Sequence, residues 1–554
     1  MARHGISLRI GATLVAALQG APAAAQVAAQ TASAPIASAS NEQAVLIALF
    51  GEFQAWQRGL SGDYGRPAMA RRLAALADLQ RRHAALPVAG WPREAKVDWL
   101  VVRSELDRAE FLLKVTRPWA RDPGFYLESI QRMAFTELPA PGLKAQLARV
   151  PAMLAASKPV LDDMARDHVD LALRSLTMSD GVEDGFPARP VPPPGVIGWL
   201  QDLRQRATTQ QPDLLPEIDA ALAALADWQR WLTAQQPRIT APAGVGTARL
   251  DWYLKTALQM PWDSAAALAI SQRELDRLMA FTAIAEHRNA KLPKLAMAAN
   301  EADYKARVAE TDARVRRFLS GGFMTIPPGI PDRLSGMVVP PYSEPYNVPF
   351  ARRATPPNFW EQVQYRDPSP DHLHAVIPGH RMDLMLANAH PNPIRRAVND
   401  GARWQGWAVY LEEAALQAGF FDDRPRVKEL IYIFGLWRAA RSVGDIWNQQ
   451  NVRNAGEVAA WWQQVTPFLD PDVARKYAHI RALPGHGLEY TMGNVQMWEL
   501  LAARRRQLGE RFDLKAFHDD FIRRGRIPIA LIRYEMTGDE TMWPALKARP
   551  PIPE

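Results

Sequence analysis

The chain reads as a mainly α-helical protein, a large bundle-like assembly with a few short strands. Three observations lead there. Apolar residues recur at three- and four-residue spacing through most of the length, acidic and basic residues interleave on the opposite faces, and two proline-rich stretches interrupt the pattern. With 554 residues, 48% hydrophobic and 23% charged, the chain can bury a large core, or two to three subdomains sharing one.

Residues 1–25 have the form of a secretory signal peptide. Arg3 and Arg9 accompany the apolar run 10–18, and Pro22-Ala23-Ala24-Ala25-Gln26 supplies small residues for cleavage near Ala25. That run is too short to span a bilayer, and no later segment offers about 18 uninterrupted apolar residues. A soluble periplasmic or secreted protein without integral membrane association is therefore expected. Residues 26–41, rich in Ala, Ser and Gln, form a flexible leader.

An N-terminal helical region, 42–325, follows. Asn41 can cap a helix over 42–60, and Leu and Ala repeat at helical spacing over 66–86. Val97, Leu100, Val101, Leu106 and Leu112 line one face of 94–113. Further helices are expected over 143–173, 216–234, 248–260, 263–289 and 301–320. The first interruption, 185–195, contains Pro192-Pro193-Pro194. The second, 326–357, opens a C-terminal region, 326–554. Its prolines lack amide donors and push their predecessors toward extended geometry, so a short strand or two belongs there. Helices resume over 403–417, 426–448, 457–464, 472–483, 487–505 and 514–524. There is no internal repeat.

The sequence contains no cysteine, which excludes disulfides, thiolate nucleophiles, iron–sulfur clusters, Cys-ligated zinc and a lipid-bearing cysteine within it. Any metal would rely on His, Asp or Glu, and no organic cofactor is indicated. A formal charge of +7 suits an anionic partner, but charges of both signs alternate and no Lys/Arg block occurs, so no nucleic-acid binding is expected.

Seven of the eleven histidines follow residue 371, and three fall within nine positions: His372, His374 and His380. Such clustering suits a metal or acid–base site as well as surface or capping roles. His374 and His380 are six apart, not the four that one straight helix needs to present two ligands. Pro378-Gly379 between them would break the helix and let the second imidazole swing back.

Leu373-His374-Ala375-Val376-Ile377-Pro378-Gly379-His380 resembles the His-Glu-x-x-Pro-Gly-His motif of the domain-of-unknown-function 885 family, bacterial proteins similar to helical zinc peptidases of the gluzincin type. Other landmarks occur in order: Gln405-Gly406-Trp407-Ala408-Val409-Tyr410-Leu411-Glu412, then Arg438-Ala439-Ala440-Arg441-Ser442-Val443-Gly444-Asp445, then Pro484-Gly485-His486-Gly487-Leu488-Glu489-Tyr490, and finally Phe512 to His518 and Gly525 to Ile529. The resemblance is strong from 342 to 534 and weaker back to about 42.

The resemblance implies a gluzincin-like architecture with a central cleft, and zinc as cofactor. It makes His374 and His380 metal ligands and puts Gln405, 25 residues after His380, where a third, glutamate ligand stands in gluzincins. Ala375 occupies the place of the general base. Tyr490 matches a possible oxyanion donor, and Glu412 a second acid. Departures from the family concentrate at the chemistry: Ala375 and Gln405 for glutamates, Gln449 for a histidine, and His486 for a glutamine.

A neutral Gln405 is a weaker zinc ligand than carboxylate and leaves one positive charge unbalanced. Water activation would then fall to Glu412, His372 or His486. On an ideal helix Glu412 lies about 10 Å beyond residue 405, so it does not replace that ligand, though it can serve as acid or base deeper in the cleft. Arg438 and Arg441 can pair with Asp445 or hold a substrate carboxylate. The tryptophans of these helices read as core, and His372 and His390 as structural.

The expected function is an exported enzyme with a repurposed zinc-peptidase-like cleft. It would perform hydrolytic, lyase or proton-transfer chemistry on a small, aromatic or peptide-like substrate, with Tyr490, His486 and Glu412 as catalytic groups. The alternatives are a noncatalytic periplasmic binding protein for peptides or envelope fragments, and a divergent zinc metallopeptidase.

Overall fold

A computed structural model describes residues 41–60, 62–178, 193–332, 359–468 and 484–554. The proposed signal peptide and leader, most of both proline-rich stretches and the expected 472–483 helix lie outside the described residues. Among the described residues the structure is helical and has no strand. The few short strands are thus absent there, and most of the stretch assigned to them is not described.

The long periodic runs are helices within a few residues of expectation: Asn41–Arg58, Arg66–Ala84, Arg93–Phe111, Leu215–Gln235, Ser264–Arg288 and Glu301–Phe318 in the first half, then Gly401–Gln417, Val427–Gln449, Ala455–Val465, Glu489–Leu508 and Leu514–Arg523. Capping sets several starts. Asp263, Asn300, Asp400, Asn454 and Asp513 each accept a backbone N–H from the first turn.

The expected 143–173 helix is instead three, Leu143–Leu147, Val150–Ser157 and Arg166–Thr177. Pro151 has no N–H, and its ring would meet the carbonyl one turn earlier, while Pro159 stops the second piece. Helices at Gly124–Ala134, Gly195–Gln210 and Ile529–Thr537 went unread. The 248–260 run gives Thr247–Trp252 followed by a π-turn at Tyr253–Ala257.

One large apolar core takes residues from Leu46 to Leu546, from both halves of the chain. Buried ions tie the halves together: Arg395 reaches Asp98 at 2.7 Å and Glu535 at 3.0 Å, and Arg108 pairs with Asp400. Two helix pairs surround the histidines. The 401–417 and 489–508 helices cross with Gly406 against Gly493, where any side chain would overlap backbone. The 264–288 and 427–449 helices pack side by side, with Leu278 against Gly435. No helix among the described residues is long and apolar enough to cross a membrane.

His518 gives the core a pH dependence. Its Nδ1 donates to the Phe323 carbonyl and its Nε2 accepts the Tyr410 hydroxyl, both at 2.8 Å. This wiring needs the neutral ring, and burial lowers its pKa to about 4. Between pH 4 and 6.5 the unfolded chain therefore binds the extra proton, so this group's stability contribution is present above pH 6.5 and lost as pH falls toward 4. It amounts to about 3 kcal/mol. Denaturant melts should show a shallower loss of stability over that range in His518→Gln than in the parent. Equal slopes would refute the assignment.

Candidate functional site

The 369–375 helix ends at Ala375, and a second starts at His380 and runs to Asn388. Between them Gly379 lies so close to the His374 carbonyl that a Cβ would overlap it. Trp407, fully buried, donates from Nε1 to the Pro378 carbonyl at 3.1 Å and supports the turn from below. The chain thus doubles back, as the Pro-Gly break predicts, and the His374 and His380 rings stand 4.7 Å apart and nearly perpendicular.

His374 is held from the side by the 401–417 helix. Its Nδ1–H donates to Glu412 Oε1 at 2.7 Å, while Arg438 of the 427–449 helix donates from Nη1 to Glu412 Oε2 at 2.8 Å. Arg438 Nη2 lies 3.3 Å from the same Nδ1. All three side chains are buried, His374 keeping 8% exposure. Burial, then the Arg438 charge, holds the imidazole well below its usual pKa. Burial raises the Glu412 carboxyl, and Arg438 opposes that. Glu412 therefore binds the His374 ring, and Arg438 pairs with it rather than with Asp445.

His380 stacks on Trp404, ring centres 4.2 Å apart, and Arg526 lies 5.0 Å over the other ring. Burial, and next the neighbouring His374, push its pKa far down. Gln405 approaches closely enough to favour the protonated ring but is not aligned for a hydrogen bond, so His380 Nδ1 and Gln405 Oε1 are both buried without a partner among the described residues.

Asp371, one turn before His374, takes a hydrogen bond from Gln364. It keeps part of its surface exposed, yet dense packing pushes its carboxyl up to about 6, the Glu412 charge adding to the rise. Neither Asp371 nor the His374–Glu412–Arg438 linkage was read from sequence. The three-residue spacing of Asp371 and His374 on one helix was the available signal. His372 bonds Asp312 at 3.0 Å, and His390 accepts from Asn392 N and lies 3.2 Å from the Arg523 carbonyl; both are built into the scaffold.

Tyr490 and His486 form a second group. Asp445 accepts the Gly487 N–H at 2.9 Å and anchors the turn 484–488. His486 Nδ1 lies 3.3 Å from Glu489, its ring 6.0 Å from Tyr490, and Arg441 covers Tyr490 at 4.9 Å. The 427–449 helix joins the two groups, carrying Arg438 and Arg441 about one turn apart.

The donor set fits zinc poorly. Among the described residues no three His, Cys, Asp or Glu side chains stand placed to hold a metal. His374, His380 and Gln405 offer two neutral imidazoles and an amide, both Glu412 oxygens are engaged, and Arg438 sets a permanent positive charge beside the imidazole.

Fold and site define a class: an all-α protein whose two histidines meet across a Pro-Gly turn, one of them bound by a buried carboxylate and guanidinium. The chain belongs to the family described as bacterial protein of unknown function (DUF885), whose sequence profile matches residues 49–536. No curated protein matches it. Solved structures do. One is a candidate lipoprotein of unknown function from Shewanella oneidensis, with TM-score 0.70 and 17% identity over 90% of this chain and 100% of that one. Another is a candidate lipoprotein from Colwellia psychrerythraea, with TM-score 0.64 and 14% identity over 91% and 99%. At such identities the likeness is one of fold.

Proposed function

We propose that the chain is an exported acid–base enzyme whose centre is the neutral imidazole of His374, oriented by Glu412 and Arg438. The observation that carries this reading is the Nδ1–carboxylate bond. It selects the tautomer with a free lone pair on Nε2, and no protein group among the described residues binds that nitrogen. On the same helix Asp371, three residues earlier, is raised to about 6 while His374 is lowered, so the segment carries a carboxyl and an imidazole shifted in opposite directions, a pattern that suits a proton holder and a base. Hydrolysis, elimination or proton transfer on a small peptide-like or aromatic substrate suits such a pair. Tyr490 and His486, the second group, are proposed as further polar groups of the site.

Export rests on the N-terminal sequence and agrees with the lipoprotein description of the two similar structures, although this sequence has no cysteine to carry a lipid. Zinc proteolysis, the reading nearest the gluzincin resemblance, is disfavoured by the donor set.

A panel of peptide, amide and ester substrates tests the proposal. Turnover should persist in a chelator and fall about 10²- to 10⁴-fold in His374→Ala. Chelator-sensitive turnover with bound zinc would restore the metallopeptidase reading. Ala375 and Gln405, which replace two acids, favour the binding-protein alternative; ligand binding without turnover by the parent would establish it.

A further inference from the structure

Glu412 and Arg438 border a cavity of about 20 Å³. Val409, Gly435 and Asn494 line it too, as do Arg277 and Glu413, which bond at 2.7 Å. Two of the lining groups are buried without a partner among the described residues: Arg438 Nε, a donor, and Asn494 Oδ1, an acceptor. Neither atom has a role in the site as described so far. A volume of this size holds one water, and a buried donor and acceptor on residues that line one cavity are what an ordered water satisfies.

We propose that one ordered water in this cavity bridges Arg438 Nε and Asn494 Oδ1, which makes Asn494 a positioning residue for the Arg438–Glu412–His374 chain. Arg438 carries the argument. Its Nη1 is spent on Glu412, its Nη2 lies beside His374, and its third nitrogen is the one left to fix the plane of the guanidinium. Tying Nε to the 489–508 helix through water locks that plane, so both Glu412 oxygens stay in register with their donors. Asn494 lies one turn after Tyr490 on that helix, so the water also couples the two groups of the site. The inference deepens the acid–base reading, on which its catalytic meaning rests.

A crystal structure of the mature protein should show a water within about 3 Å of both atoms. In ¹⁵N spectra of arginine-labelled protein, Asn494→Leu removes the acceptor that holds the bridging water, and solvent exchange of the Arg438 Nε–H should rise by about tenfold, the scale of one hydrogen bond. Asn494→Asp, which keeps an acceptor, should restore the parent rate. If Asn494→Leu fails to fold, the parent crystal and the aspartate variant decide. A cavity without water, or equal exchange in the leucine variant and the parent, would overturn the proposal. Either result leaves the acid–base reading standing, because that is judged by turnover of His374→Ala.

Discussion

Arg438→Met is expected to destabilise the protein by about 3–5 kcal/mol, because it leaves Glu412 as a buried carboxylate without its cation. Glu412 is 2% exposed, so water cannot take over the lost partner. Arg438→Met/Glu412→Gln, which removes both charges, should recover a large part of the loss. Chemical denaturation of the two variants measures both quantities. A loss below about 1 kcal/mol in the single variant would place the pair in a solvated setting, at odds with its burial. The same substitution has a second signature. Arg438 depresses the His374 pKa, so removing it should move the imidazole titration upward, read from the His374 ring resonances.

Trp407→Ala should cost about as much, again about 3–5 kcal/mol, from lost burial and the cavity left behind. The indole is fully buried, lies 5.3 Å from Phe521 and 5.9 Å from Tyr410, and is the donor to the Pro378 carbonyl. Trp407→Phe separates the two contributions. It keeps much of the packing but orphans the carbonyl, for about 1–3 kcal/mol. A phenylalanine variant as unstable as the alanine one would assign the whole effect to the hydrogen bond. In the alanine variant the turn loses its support, and His374 and His380 should move apart in a crystal structure.

The legible parts of this protein are those with local causes. Asp263 and Asn454 announce their helices by capping them, and the apolar spacing of 94–113 and 427–449 needs nothing beyond the segment itself. The 143–173 stretch was misread because its apolar spacing runs through Pro151, whose missing donor outweighs the pattern. At the site, the approach of His374 and His380 follows from Pro378-Gly379 and was readable. Glu412 was recognised as an acid but not as the partner of His374, since residues 38 apart meet only where two helices cross. Arg438 was read as pairing with Asp445, seven residues on in the same helix, or as holding a substrate carboxylate, whereas the folded chain offers it a carboxylate on another helix and gives Asp445 to the backbone of 485–488.

The sequence by itself determined the helical class, the family, the absence of thiol chemistry, and a histidine pair stripped of two acidic neighbours. Those follow from composition, periodicity and motif spacing, which exist before folding. Only the tertiary structure decided what surrounds the pair. A histidine's tautomer and pKa are set by burial and by whichever charge is packed against it, and here a carboxylate and a guanidinium from two distant helices fill those places.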